Sequence, residues 1–305
     1  MIVESRREAG SSAIALLAAS LRPEQWTKNL LLFAGLIFGG RLLDPSAVGA
    51  AFGAFVVFCA LSGAMYIVND VWDRDADRRH PLKRSRPLAS GALSVEVALG
   101  AAAAIGAAAI AGAAMLGTSF AGLAVAYAAL LFLYSTLLKH IVIVDVLAVA
   151  AGFVVRASAG AVAVDVPIRS WLLTCTTLLA LFLVLSKRRH ELVLLGEDAG
   201  QHRRSLDEYS PYLLDQMIAV VTASTVIAYA VFATSAETAA RLGTGYLGLT
   251  IPFVLYGIFR YLYLVHQKRG GGNPATMLAT DPPLLACVAL WAVTIVLLMY
   301  SPLGR

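Results

Sequence analysis

The chain alternates long apolar runs, most of them near 20 residues, with short polar segments that hold nearly all of its charge. A helix of about 20 apolar residues crosses the ~30 Å hydrocarbon layer of a bilayer. The pattern predicts nine spans, at 29–40, 46–68, 93–116, 119–138, 141–163, 170–186, 212–234, 245–265 and 282–301. The first is short for a span and is expected to begin earlier. The predicted fold class is all-α, a polytopic membrane bundle forming a single transmembrane domain over residues 1–305, with no soluble domain between the spans.

Composition sharpens this. With 59% hydrophobic and 14% charged residues and a mean hydropathy of +0.76, a water-soluble domain is excluded. A formal charge of +5 would suggest a nucleic-acid partner in a soluble protein. In a membrane protein it reflects the gathering of Lys and Arg in cytoplasmic loops, so no nucleic acid is expected.

With the N-terminus placed inside, the inner segments hold Arg6, Arg7, Arg22, Lys28, Arg74, Arg78, Arg79, Lys83, Arg84, Arg86, Lys139, Lys187, Arg188, Arg189, Arg203, Arg204, Lys268 and Arg269. Only Arg41, Arg169, Arg241 and Arg305 fall outside, while Arg156 and Arg260 lie within spans. This bias predicts a multi-pass protein of the cell membrane with its N-terminus in the cytoplasm and its C-terminus outside.

Cys59, Cys175 and Cys287 all sit in apolar runs with no CxxC and no histidine at ligand spacing, so neither disulfide nor zinc chemistry is supported. The mildly apolar stretch 12–21, followed by Arg22, Glu24 and Lys28, reads as an interfacial segment rather than a cleaved leader. The third span is rich in Ala and Gly and is expected to pack inside the bundle. Residues 270–274 read as a flexible connection.

Two polar segments carry candidate chemistry. Between Asn69 and Gly91 a span runs directly into four Asp and six basic residues. On a continuous helix Asp70, Asp73 and Asp77 share a sector of about 60°, and Asp75 faces elsewhere. Three carboxylates so close repel one another unless a cation bridges them. All-oxygen ligation suits Mg2+, which keeps waters and takes further ligands from a diphosphate. Lys83, Arg84 and Arg86 follow and are candidates for phosphate oxygens, with Asn69 at the edge of the acidic face.

The second segment, Ser186 to Glu191 with the stretch 202–213, is basic where another metal site would need carboxylates, and it offers Lys187 and Arg188. His190 and His202 have no paired ligand and are expected to be structural. Arg156 stands in mid-span, where a charge is costly and usually marks a functional or paired site. Asp145 lies about 20° away around the same helix and ~16 Å along it, too far to pair. A bound anionic substrate is one way to compensate them; a buried partner on another helix is the other. Trp26 reads as an interface anchor, and Lys28 stands at the mouth of the first span.

NDxxDxxxD at Asn69 to Asp77 resembles the first aspartate motif of the UbiA superfamily of intramembrane prenyltransferases. RPxQWxKN from Arg22, HPxKRxRP from His80, YxxxLKH from Tyr134, RAxAG from Arg156 and KR at Lys187 are similar to the decaprenyl-phosphate phosphoribosyltransferase branch. The resemblance covers nearly the whole chain. It implies a nine-helix bundle with a cytoplasm-facing cavity in which Mg2+ on Asp70, Asp73 and Asp77 binds a diphosphate leaving group. Prenyl-transferring members carry a second aspartate motif at the end of span six, where this chain has Lys187, Arg188 and Arg189.

The resemblance to that branch therefore implies 5-phosphoribosyl diphosphate as donor and polyprenyl phosphate as acceptor, an early step toward arabinose donors for the cell envelope. Lys28, Tyr134, Lys139, Arg156, Lys187 and Arg188 become candidate substrate-binding residues. A prenyltransferase using prenyl diphosphate and an aromatic or lipid acceptor is the near alternative. A transporter is the distant one and leaves the acidic face without purpose.

Overall fold

The structure, a computed structural model, describes residues 12–301 apart from 80, 82, 197–199, 201–203 and 269–271. Arg6, Arg7, His80, His202, Arg203, Arg269, Arg305 and the start of the glycine run at 270–274 lie outside the described residues. Among the described residues there is no strand. A short helix α1 (Ala13–Ser20) is followed by a 3-10 helix (Pro23–Leu32) that runs into α2 (Phe33–Phe38).

Eight segments are long and apolar enough to cross a membrane. They are α3 (Pro45–Trp72), α6 (Val95–Met115), α7 (Thr118–Thr136), α8 (Val144–Ala163), α9 (Ser170–Leu195), α10 (Pro211–Thr234), the segment Leu247–Gln267 containing α12 (Ile251–Gln267), and α14 (Pro282–Tyr300). Short helices α4 (Arg74–Arg79) and α5 (Pro87–Ser90) follow α3, α11 (Ala236–Leu242) follows α10, and α13 (Pro274–Thr280) precedes α14.

The helix starts follow from their sequences. Asp44, Ser94, Ser210 and Asp281 each accept a backbone N–H of the first turn of α3, α6, α10 and α14, and proline stands near the start of three of the four. The long helices match the second to ninth predicted spans. The first predicted span is instead the 3-10 segment plus α2. A 3-10 helix rises ~2.0 Å per residue, so Pro23–Phe38 still extends about 29 Å with few residues.

The largest departure from the expected boundaries is α9, which continues well past Ser186 and carries the basic cluster on its last turns. Lys, Arg, Glu and Leu are good helix formers. Here the charges are answered by neighbours rather than by a loop. Arg260 in α12 is likewise answered, by Asp281 at 2.8 Å.

The core has two main parts. Phe58, Phe120, Tyr127 and Ala159 join α3, α7 and α8, while Phe182, Leu214, Tyr261 and Leu284 join α9, α10, α12 and α14. The 3-10 segment and α2 bind the first part by backbone contact. A Cβ on Gly160 would lie 2.1 Å from the Leu32 carbonyl oxygen, and one on Gly35 would lie 2.7 Å from Ala161 Cα. Small residues are required where helices approach this closely. Gly160→Ala should therefore cost roughly 1–3 kcal/mol through overpacking. Gly100→Ala, with nothing within 4 Å of the added carbon, should be neutral. Thermal unfolding of both variants in detergent checks the contrast.

Candidate active site

The ends of α3, α7 and α9 and the starts of α8 and α10 meet at one end of the bundle, and nearly all described charged groups outside the opposite rim lie there. The helix carrying the acidic motif does not run through it. α3 ends at Trp72 and α4 begins at Arg74, with Asp73 between them. The break divides the carboxylates. Asp70 and Asp77 are buried and share one cation: Arg86 Nη1 donates to Asp77 Oδ2 at 2.6 Å and to Asp70 Oδ1 at 3.1 Å.

Asp70 also takes Arg22, and Lys83 approaches Asp77 at 3.8 Å. Asp73 turns to Lys139 at 2.5 Å and to the Asn69 amide at 3.2 Å. Asp75 is exposed, and among the described residues its carboxylate pairs with Arg78, at 3.5 Å. The basic run between α3 and α6 is partly structural. Arg74 and Arg78 donate to the carbonyls of Leu88 and Ala89, which folds α4 against α5 and brings Arg86 back over the acids. Arg84 is exposed. Partial burial lowers the pKa of Lys83 from the ordinary lysine value, against the raising effect of Asp77.

The mid-span charges have protein partners. Asp145, fully buried at the start of α8, receives Arg188 Nε at 2.9 Å, the Tyr209 hydroxyl at 2.8 Å and Ser205 at 3.4 Å. Arg188 also donates to Glu191 at 2.6 Å and to the Tyr134 hydroxyl at 3.0 Å. The buried structural partner, not an anionic substrate, is thus the answer for Asp145. Arg188 and Tyr134, both candidate substrate ligands, belong to this cluster.

Ser205 and Tyr209 come from the 3-10 turn Arg204–Glu208 and the residue after it, so the loop following α9 folds back onto α8. Burial and the neighbouring Asp145 carboxylate push the Tyr209 phenol up to about 12. Its oxygen accepts the N–H of Ile143 at 2.8 Å. Ile143 has φ 68°, a left-handed conformation that costs a β-branched residue about 1–3 kcal/mol and is held by its surroundings.

Arg156 is answered by neutral groups: Asn29 Oδ1 at 2.8 Å, the Gly152 carbonyl at 3.2 Å and the Tyr127 hydroxyl, with the Tyr127 ring 4.7 Å from its guanidinium carbon. No carboxylate among the described residues pairs with it. Its charge is therefore not offset by an ion pair among those residues, and Lys28 lies within electrostatic reach of it, of Arg22, of Lys187 and, with opposite sign, of Glu24. Lys28 itself makes no ion pair among the described residues, and Lys187 approaches Glu191 at 3.6 Å.

The result is a cationic patch beside an acidic one, the first able to take phosphate oxygens and the second a cation. Sequence reasoning had not singled out Arg22, Asn29 and Tyr127 as site residues. The first two lie in the RPxQWxKN motif, which was their signal. Tyr127 sits in an ordinary-looking apolar run.

Among the described residues no three Asp, Glu, His or Cys side chains come together closely enough to hold a metal. The pair Asp70–Asp77 nevertheless fits Mg2+. One nitrogen lies within hydrogen-bonding distance of both carboxylates, so a single cation can be held between them. Mg2+ typically takes one or two carboxylates and completes its shell with waters and substrate phosphates.

This fold and this arrangement of charge define the class. The model of the UbiA prenyltransferase family matches residues 13–280, and the chain belongs to that family. Decaprenyl-phosphate phosphoribosyltransferase of Corynebacterium glutamicum is 33% identical over 291 residues, covering 92% of this chain and 86% of its own length. The protein of that name from Mycolicibacterium smegmatis is 32% identical over 310 residues, covering 97% and 96%. Among solved structures, a UbiA homologue from Archaeoglobus fulgidus bound to GPP and Mg2+ superposes with a TM-score of 0.70 over 92% of this chain and 98% of its own, at 20% identity.

If the Asp145–Arg188 pair is a packing element, Arg188→Ala leaves a buried carboxylate uncompensated and should lose about 3–5 kcal/mol. Asp145→Asn with Arg188→Gln should recover much of that loss. A double-mutant cycle on detergent thermal stability measures the coupling.

Proposed function

We propose that the protein transfers 5-phosphoribose from 5-phosphoribosyl diphosphate to a polyprenyl phosphate and releases diphosphate, with the site at the cytoplasmic face of the cell membrane. The observation that carries this reading is the basic end of α9, Lys187 to Arg189, where prenyl-transferring relatives of the motif would need carboxylates, with Lys28 in electrostatic reach of Lys187 and Arg156. A second acidic cluster would suit a second metal on a prenyl diphosphate. A basic one suits a donor and an acceptor that each bring a phosphate of their own. Near full-length similarity to two proteins named for this reaction supports it further.

The chemistry is a displacement at the anomeric carbon. An oxygen of the lipid phosphate forms the new bond to C1 of the ribose, and the bond from C1 to the diphosphate oxygen breaks, its electron pair leaving with diphosphate. The acceptor is already anionic, so no general base is required. Asp70 and Asp77 would hold Mg2+, which when bound would neutralise charge building on the leaving group, while Asp73 stays with Lys139. Arg86 and Lys83 would meet donor phosphates. Lys28 and Lys187 would take the 5-phosphate or the lipid phosphate, with Arg156 supplying charge behind them. Preorganised cations of this kind favour the transition state because they need no rearrangement as charge develops.

Two measurements test this. Purified protein given Mg2+, polyprenyl phosphate and labelled 5-phosphoribosyl diphosphate should yield labelled lipid and free diphosphate. Asp70→Asn or Asp77→Asn should lower turnover by orders of magnitude and exposed Asp75→Asn little. Transfer from a prenyl diphosphate to an aromatic acceptor, with none from the phosphoribosyl donor, would overturn the assignment. Lys28→Met should raise the KM of one phosphate substrate about ten- to a hundredfold with little change in unfolding temperature; an unaltered KM for both substrates removes Lys28 from the site.

A further inference from the structure

The end of the bundle opposite the aspartates is poor in basic residues, as a membrane protein's outer face should be. Its described members are Arg41, Arg169 and Arg241, and topology gives them no reason to cluster. All three line one cavity of about 490 Å³, bounded by α2, the turn after α8, and the starts and ends of α9, α11 and α14. Arg169, Trp171 and Arg241 also form a wall of a second cavity, of about 590 Å³, that runs between α9 and α10 past Cys175, Ala228 and Val231. The two cavities are therefore neighbours across a cationic and aromatic divide.

The arginines are not equivalent. Arg41 is bound to Asp44 at 2.6 Å. Arg169 and Arg241 have no ion pair among the described residues. Among the described residues, neither the buried Arg241 Nη2 nor the buried indole N–H of Trp171 has a hydrogen-bond partner. The Arg241 guanidinium lies over the Trp171 ring, 5.5 Å from its centroid, and that ring stacks on Phe232 at 4.0 Å. Asp165 lines the first cavity and Glu237 the second, yet burial and the nearby Arg169 outweigh Glu237 and lower the pKa of Arg241.

Two adjacent guanidinium groups without carboxylate partners make a fork suited to phosphate oxygens. Below them the second cavity opens along α10, where Ile227 and Val231 are both 63% exposed on a face that a bilayer would cover. A head group at the rim and an acyl chain along that face would be satisfied together.

We propose that Arg169 and Arg241 hold the phosphate of an anionic membrane lipid of the outer leaflet, with one of its chains lying between α9 and α10. This site is separate from the transfer reaction and does not depend on how that reaction is assigned.

The test compares wild-type protein with Arg169→Gln/Arg241→Gln in detergent, titrated with phosphatidylglycerol, phosphatidylcholine or inorganic phosphate. Native mass spectrometry counts retained lipid, and thermal unfolding reports stabilisation. Wild type should retain one more phosphatidylglycerol than the double variant, with about tenfold weaker affinity in the variant, and phosphatidylcholine should not replace it. Arg241→Lys, which keeps the charge, guards against a folding defect and should retain intermediate affinity. Equal phosphatidylglycerol retention by wild type and the double variant would overturn the site, as would stabilisation by inorganic phosphate alone to the same extent. Transfer turnover in detergent without added phospholipid should be unchanged in all three proteins.

Discussion

A fully buried carboxylate, Asp145, and the guanidinium of Arg188 hold the charged end of this bundle together. Burying either alone costs several kcal/mol, so each dictates the position of the other. The pair fixes the start of α8 against the last turns of α9, and Tyr134 from α7 and Tyr209 from the following loop complete its hydrogen bonds. Because α9 must reach Asp145, it remains helical beyond the hydrocarbon boundary. Lys187, one residue before Arg188, is thereby set beside Lys28. The cationic patch thus inherits its geometry from an ion pair that itself has no need to touch substrate.

The acidic patch is organised differently. Its carboxylates are partly exposed at Asp73 and buried at Asp70 and Asp77, and each is held by a cation from a separate element: Arg22 ahead of the 3-10 helix, Arg86 from the loop after α4, Lys139 after α7. Repulsion among like charges is thereby relieved within the protein. These cations come from three places in sequence, so the acidic motif also draws the N-terminal segment, the basic loop and the α7–α8 junction to one point.

Much of this could be read from the sequence, and the remainder has identifiable causes. The eight long apolar segments were visible because hydrophobic length is a direct consequence of bilayer thickness. The segment Pro23–Phe38 was harder, since a 3-10 helix covers the same depth with fewer residues and its polar Thr27, Lys28 and Asn29 blur the start. The acidic motif was legible from residue type and spacing. The helical wheel placed Asp73 with Asp70 and Asp77, but it assumed a helix that breaks at Asp73. Arg188 illustrates a different limit: a basic residue at a span end looks the same in sequence whether it faces a ligand or a carboxylate of another helix. Only the three-dimensional position of Asp145 separates the two.

The close seating of Gly35 and Leu32 on Gly160 and Ala161 bears on how the chain is assembled. The segment at 23–38 is synthesised before the long helices, yet the surface that accepts it belongs to α8, more than a hundred residues downstream. Most helical spans can enter a bilayer as finished units, their backbone groups satisfied within the segment. This one is irregular and holds few apolar residues, and its close seating on Gly160 and Ala161 cannot form until α8, the fourth of the later long helices, has emerged. The N-terminal segment that brings Arg22 and Lys28 to the site is therefore locked in place only after α8 has been made.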